Sequence, residues 1–312
     1  MKRWVKRTWL AIGIAALAII VGIACYTWYV YHSVKETANQ IYEPIPQTVY
    51  VSKDPEVAVP VAVQPVLEKR HPFTVVVMGV DERGDDPGRS DTLIVLAVNP
   101  VKKSILMFNI PRDTRTQIIG HGTTDKINHA YAFGGAEMSK KTVENFLDYP
   151  MDYYIRLNME GFAKMIDLIG GVEVNNPFAF DYEGYTFDKG NLKLNGEKAL
   201  LYSRMRYDDP RGDFGRNTRQ RDMVEQVMKS ALSFSSFTQI EGLLSQLGSS
   251  VKTNISFDEM KTFVKEYRSD LDQVNTVEIS GTGAMINKVW YYIVSAEERS
   301  RIHTLLKEQM SK

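Results

Sequence analysis

At 312 residues, with 44% hydrophobic and 24% charged side chains, the chain has an ordinary globular composition and room for one large domain or two small ones. Its 38 basic and 38 acidic side chains cancel, so no global field draws it to nucleic acid or to an acidic surface, and any anion site must be local. The single cysteine, Cys25, excludes an internal disulfide and a Cys-rich zinc cluster.

Residues 1–8 carry Lys2, Arg3, Lys6 and Arg7, and the 22 residues from Trp9 to Val30 carry no charge. As a helix that run spans roughly 33 Å, enough for a bilayer core of about 30 Å. No acidic residue occurs before Glu36, so the positive-inside rule makes 1–8 a cytoplasmic tail, 9–30 a transmembrane signal-anchor, and places everything after Val30 outside. Tyr26, Trp28, Tyr29 and Tyr31 form an aromatic belt at the outer interface. A cleaved signal peptide has a shorter apolar core, about 7 to 15 residues, so the segment is read as retained. A lipoprotein box at Gly22-Ile23-Ala24-Cys25 is disfavoured by Gly22, where a larger aliphatic residue belongs.

Residues 31–72 contain Pro44, Pro46, Pro55, Pro60, Pro65 and Pro72. Proline disfavours helix in the residue before it, so an extended extracytoplasmic stalk is expected here, and the alternating Val57–Val66 stretch could pair only at a sheet edge. From residue 73 to 312 apolar runs alternate with helical patterns. Strands are expected at 74–80, 92–98, 104–110, 153–157, 171–174, 276–280 and 288–294, with helices at 140–147, 159–169, 196–205, 216–233, 257–267 and 296–310. This alternation predicts an α/β/α sandwich with a central, mostly buried sheet.

Three constellations carry the chemistry. Gly79-Val80-Asp81 ends the first core strand, and Arg89-Ser90-Asp91-Thr92 opens the second. Carboxylates at a strand's end lie where open α/β sheets place ligands and can hold Mg²⁺, although this motif alone favours a plain Asp turn. Ile110-Pro111-Arg112-Asp113-Thr114 ends the third strand and, alone, reads as a surface ion pair. The strongest signal spans Arg204 to Asp222: six arginines (204, 206, 211, 216, 219 and 221), no lysine and four aspartates in nineteen residues. Guanidinium forks match phosphate oxygens in a way lysine does not. Arg216, Arg219 and Gln220 share a helix face at its first turns, where cations oppose the macrodipole unless an anion is bound, so phosphate binding is favoured over an Arg/Asp network. Phosphate-loop, nucleophile-elbow and His-Glu-x-x-His motifs are absent. In Lys126-Ile-Asn-His-Ala-Tyr131, helix capping is the favoured account of Asn128 and His129.

Taken together, in this order, these motifs and Gly170-Gly171-Val172 resemble the LytR-CpsA-Psr family of cell-wall polymer ligases, most closely its wall teichoic acid transferases. The resemblance covers about 73–233 plus the anchor. It implies a fold with an apolar pocket for a polyprenyl (undecaprenyl) chain and a pyrophosphate at the pocket mouth. It also implies that Asp81 and Asp91 coordinate Mg²⁺ or Mn²⁺, and that Arg112, Arg204, Arg206, Arg216, Arg219 and Gln220 bind pyrophosphate or support catalysis, with Asp91 among the catalytic residues. The implied reaction moves an anionic polymer from the lipid carrier to a peptidoglycan muramic acid hydroxyl, outside a cell membrane crossed once, with no nucleic acid involved. Asp91, where not committed to metal, or else Asp113, is the expected base. The rival readings are a lipid-pyrophosphate hydrolase and a non-catalytic wall-binding regulator.

Overall fold

The computed structural model describes residues 3–46, 50–57, 71–82, 86, 88–233, 246–266 and 273–311. Helix α1 (Arg3–Ile41) leads to strands β1 (Phe73–Val80), β2 (Ser90–Asn99) and β3 (Ser104–Asn109), then to a short hairpin, β4 (Arg115–Gln117) and β5 (Thr124–Lys126). Helix α2 (His129–Leu147), β6 (Tyr153–Asn158) and α3 (Met159–Leu168) precede a small β region of β7 (Val172–Asn176), β8 (Phe180–Tyr182), β9 (Tyr185–Phe187) and β10 (Gly190–Leu194). Helices α4 (Gly196–Arg204) and α5 (Asp213–Ser233) follow, then β11 (Val251–Thr253), α6 (Phe257–Glu266), β12 (Gln273–Val277), the hairpin β13 (Thr282–Ile286) and β14 (Val289–Ile293), and α7 (Ala296–Met310).

Six strands form the central sheet in the order β11-β6-β1-β2-β3-β12. It is mixed: β1 runs parallel to β6 and β3 to β12, while β1–β2, β2–β3 and β6–β11 are antiparallel. Because side chains alternate across a strand, Val76, Met78, Leu93, Val95 and Phe108 fall on one face, under α2 and α7. Val75, Ile94, Leu96 and Met107 fall on the other, against Val224 and Met228 of α5 and Met260 and Phe263 of α6. The expected α/β/α sandwich with a mixed sheet is therefore what this chain forms. A satellite core, with Ile166, Val174, Phe187 and Tyr202, joins α3, α4 and the small β region.

Three local departures have physical causes. Helix α2 starts at His129 rather than near 140, because Gly134 and Gly135 leave helical dihedrals and interrupt its periodicity. Strand β13, rich in glycine, gave no strand signal and is held by β14. The third departure concerns the stalk. Helix α1 continues past the apolar run to Ile41, and Val30, Val34, Ala38 and Ile41 are buried against Phe257 of α6. The Glu43 amide donates to Thr253 O at 2.8 Å, and Tyr154 Oη donates to Glu43 O at 2.7 Å. Residues 50–57 are strapped to the domain too: Tyr50 Oη and the Lys53 amide donate to Asp148 Oδ1, and Asp54 pairs with His303 and Lys307. Extended structure thus fails for 31–41, whose prolines begin only at Pro44. The proposed edge strand beyond Val57 lies outside the described residues.

One helix among the described residues is long and apolar enough to cross a membrane. Its packed end makes the junction with the domain rigid. Replacing Val34, 1% exposed, by Asp puts an unpaired carboxylate into that junction, and should cost about 2–3 kcal/mol of stability in thermal unfolding of the full chain. An unchanged melting temperature would mean that α1 does not dock on α6.

Candidate active site

The site is built where β1 ends and β2 begins. A register shift at Gly79/Val80 lets the amides of Asp81 and Asp91 converge on one acceptor, Arg89 O, at 3.3 and 2.9 Å. The two carboxylates therefore start from the same point of the backbone. Gly88, at φ +75°, is required for this turn, since a Cβ there would lie 2.4 Å from Asp81 O.

Asp91 is tied on both oxygens: Arg112 Nη1 donates to Oδ2 at 2.9 Å and Asn128 Nδ2 donates to Oδ1 at 3.0 Å. Asn128 occupies the N-cap position of α2 but makes no capping bond with its side chain. The capping account thus fails for Asn128, which instead joins the site, and His129 pairs with Asp125 at 2.8 Å. Asp113 lies 2.6 Å from Lys126 Nζ, while Arg112 Nε, 3.7 Å from Asp113, is buried without a hydrogen-bond partner. Glu82, which the motifs did not single out, accepts from Arg156 Nη1 and from Tyr131 Oη, each at 3.0 Å. The Tyr131 hydroxyl is pushed up to about 12, chiefly by burial, so it stays a donor. The signal that could have flagged Glu82 is its adjacency to Asp81.

The arginine block splits into two groups. Arg219 is 3% exposed and fully engaged: it forms an ion pair with Asp209, Nε donates to Tyr202 O at 2.9 Å, Nη2 donates to Met205 O, and the guanidinium lies against the rings of Phe180 and Tyr202. Gly215 makes room for this, because a Cβ there would meet the Asp209 carboxylate at 1.9 Å. Arg211 and Arg221 pair with Glu278. The structure therefore does not bring Arg219 to the site. In the context of the expected phosphate clamp, it is the part of the block that behaves as an Arg/Asp network.

Arg216 is different. It is 8% exposed, and its Nη2 is 2.6 Å from Asp213 Oδ1, yet the angle makes no hydrogen bond: Arg216 Nε and Nη2 and Asp213 Oδ1 all remain without one. The ion pair supplies opposite charge, and leaves directional donors unused. Burial lowers the Arg216 pKa first, Asp213 opposes that shift, and Arg112, Asp91 and Arg206 also act on it, which places all of them in one electrostatic cluster. One turn later Gln220 Oε1 is likewise buried and unpartnered. Arg206, half-exposed, stands 3.6 Å from Asp213 and over the Tyr207 ring.

Arg204, at the end of α4, makes no ion pair among the described residues and lines an apolar slot with Gly79, Thr92, Ile94, Phe162, Gln220 and Val224. Gly79, Val80 and Thr92 of its lining are next in the chain to Asp81 and Asp91 or one residue away, and its apolar residues come from the sheet, α3, α4 and α5. Buried, preoriented donors around such an opening suit an anionic headgroup with an apolar tail. Asp81 and Asp91 are hard oxygen donors of the kind Mg²⁺ takes from a protein when phosphate oxygens complete its shell, and both Asp91 oxygens already accept a hydrogen bond.

The two arginines separate in a melting experiment without ligand. Arg219→Lys strips donors from two buried carbonyls and should lower stability by about 2 kcal/mol or more. Arg216→Lys breaks no hydrogen bond made by Nε or Nη2 and should melt close to the parent. Equal losses in both variants would contradict this division.

Residues 28–308 match the model of the LytR_cpsA_psr family. A polyisoprenyl-teichoic acid–peptidoglycan teichoic acid transferase, TagU of Halalkalibacterium halodurans, is 46% identical over 307 residues, covering 98% of this chain and 99% of that protein. The crystal structure of Bacillus subtilis TagU superposes with a TM-score of 0.65 at 44% identity, over 78% of this chain and 98% of that one. A structure described as a transcriptional regulator from Enterococcus faecalis superposes with a TM-score of 0.70 at 37% identity, over 77% and 88%. With the match running through nearly the whole domain, the chain belongs to the LytR_cpsA_psr family.

Proposed function

We propose that this chain transfers an anionic wall polymer, wall teichoic acid, from a polyprenyl pyrophosphate carrier to peptidoglycan. The observation that carries the reading is Arg216: a buried guanidinium with unused donors, clustered with Arg112, Asp91 and Arg206 and one helical turn from the mouth of an apolar slot. The names of the homologous transferases support it. The apolar run of helix α1 and the basic residues that precede that run support a single-pass anchor with the domain outside the cell membrane.

Arg216 and Gln220 on α5, with Arg112, Arg204 and Arg206, hold the pyrophosphate, and Arg219 positions the loop that carries Arg204 and Arg206. The polyprenyl chain enters the slot. At about 90 Å³ the slot is below the roughly 300 Å³ at which small-ligand pockets begin, so a long chain requires α4 and α5 to move away from the sheet. Asp81 and Asp91 hold Mg²⁺ or Mn²⁺, which when bound neutralises pyrophosphate charge. A muramic acid hydroxyl oxygen attacks the phosphorus next to the polymer's linking sugar. The bond from that phosphorus to the bridging oxygen breaks, and polyprenyl phosphate leaves with the electron pair. Both carboxylates are engaged, Asp91 by two hydrogen bonds and Asp113 by the Lys126 ammonium, and Asp113, which lines the second cavity where Asp91 does not, is taken as the proton acceptor. Fixed charges, aligned before reaction, supply most of the acceleration.

The test incubates the full chain in detergent with Mg²⁺, a lipid-linked pyrophosphate polymer and glycan strands. Polymer should become covalently attached to glycan, and Arg216→Lys should slow this about a hundredfold at unchanged melting temperature. Asp81→Asn should abolish the Mg²⁺-dependent part. Release of polyprenyl phosphate with no polymer on the glycan would point to a hydrolase instead.

A further inference from the structure

A second cavity, of about 360 Å³ and within the size range of small-ligand pockets, is lined by Asp213 and Asn217, which bracket Arg216 in the chain. One wall is aromatic and the other polar. Trp290, Tyr292 and Phe214 form the first, and Arg206, Asp213 and Asn217 the second. The aromatic wall is built in an unusual way. Gly283 in β13 and Gly281 just before it lie against side chains of β14: a Cβ at Gly283 would come 2.9 Å from Trp290 Nε1, and one at Gly281 2.7 Å from Tyr292 Cε1. The two rings thus lie directly on bare backbone. Tyr292 is locked there: its amide donates to Asp113 O at 2.9 Å and its hydroxyl to Ile279 O at 3.1 Å. Trp290 stays 44% exposed and lines the cavity.

Resting on the transfer reaction proposed above, we infer that this cavity is the subsite for a sugar ring of the acceptor glycan, with Trp290 as its stacking platform. A pyranose presents an apolar C–H face and a rim of hydroxyls, which matches a flat indole opposite carboxylate, amide and guanidinium groups. Position selects the acceptor over the donor. Along α5, Asp213 and Asn217, which bracket Arg216 in the chain, line this cavity, and Gln220 and Val224, in the turns that follow, line the lipid slot, so the two openings succeed one another along the helix that carries Arg216. In phosphoryl transfer the attacking and leaving oxygens are roughly in line through phosphorus. The leaving lipid phosphate occupies the slot side, so the attacking hydroxyl arrives from the cavity side. The donor's own linking sugar is a third substituent on phosphorus, off that axis.

The chain has four tryptophans, and Trp4, Trp9 and Trp28 all lie in α1, so Trp290 is the sole indole of the domain. Titrating the full chain in detergent with soluble glycan strands, with no lipid substrate, should change tryptophan emission saturably, and Trp290→Phe should abolish that change. In the transfer assay Trp290→Ala should raise the acceptor KM about tenfold, the loss of one aromatic contact, with the donor KM unchanged. Trp290→Phe, which retains a ring, should recover most of the acceptor affinity. Emission that ignores glycan strands but responds to the lipid-linked donor would overturn the assignment, as would a Trp290→Ala variant with the parent's acceptor KM. The emission titration needs no turnover, so an absence of transfer would remove the proposed reaction while leaving the subsite to be decided by binding.

Discussion

Arg216 places a guanidinium, which stays charged in proteins, in a nearly closed space with two nitrogens lacking hydrogen-bond partners. Burying such a group is costly unless its charge and its donors are both satisfied. Asp213 and Asp91 answer the charge only in part, because Arg112 and Arg206 add to it. The arrangement also sits in the first turns of α5, where the macrodipole disfavours cations and favours anions. The pyrophosphate proposed to bind here would resolve all of these at once. The remaining features of the site are best understood as what keeps this guanidinium, and the groups around it, in place before the substrate arrives.

That scaffold is the other half of the arginine block. The segment between α4 and α5 must hold Arg204 and Arg206 near Arg216 with no regular structure of its own. Arg219 ties it from beneath through Asp209 and the carbonyls of Tyr202 and Met205, while Arg211 and Arg221 close its outer side on Glu278. On the sheet side, the single carbonyl of Arg89 sets Asp81 and Asp91 together, and Asn128 and Arg112 orient Asp91. Within the arginine block the guanidinium groups thus divide by partner count: Arg219, Arg211 and Arg221 are bonded into the frame, and Arg216 keeps two nitrogens without hydrogen bonds.

Much of this was legible in the sequence. The runs at 74–80, 92–98 and 104–110 are short, nearly continuous apolar segments, as strands buried on both faces must be, and their ends coincide with the Asp81, Asp91 and Arg112 motifs. An arginine-only cluster pointed to phosphate. Helical spacing could not say which arginines face it: Arg216 and Arg219 are three residues apart, and the choice between them is made by Asp209, ten residues before Arg219 and brought under it by the fold. Asn128 and Glu82 were hidden for the same reason, since their partners come from other strands. The helical end of α1 was readable in Val34, Ala38 and Ile41, but prolines further on dominated the reading of that segment.

The most direct test of the central claim is calorimetric titration of the full chain in detergent with a short-chain prenyl pyrophosphate, in Mg²⁺, for the parent and for Arg216→Lys and Arg219→Lys. Losing the bidentate contact proposed for Arg216 should weaken binding about tenfold or more. The Arg219→Lys protein that remains folded should bind with nearly the parent's affinity, because that side chain does not reach the site. Unchanged affinity in Arg216→Lys, or a selective loss in folded Arg219→Lys, would contradict the account.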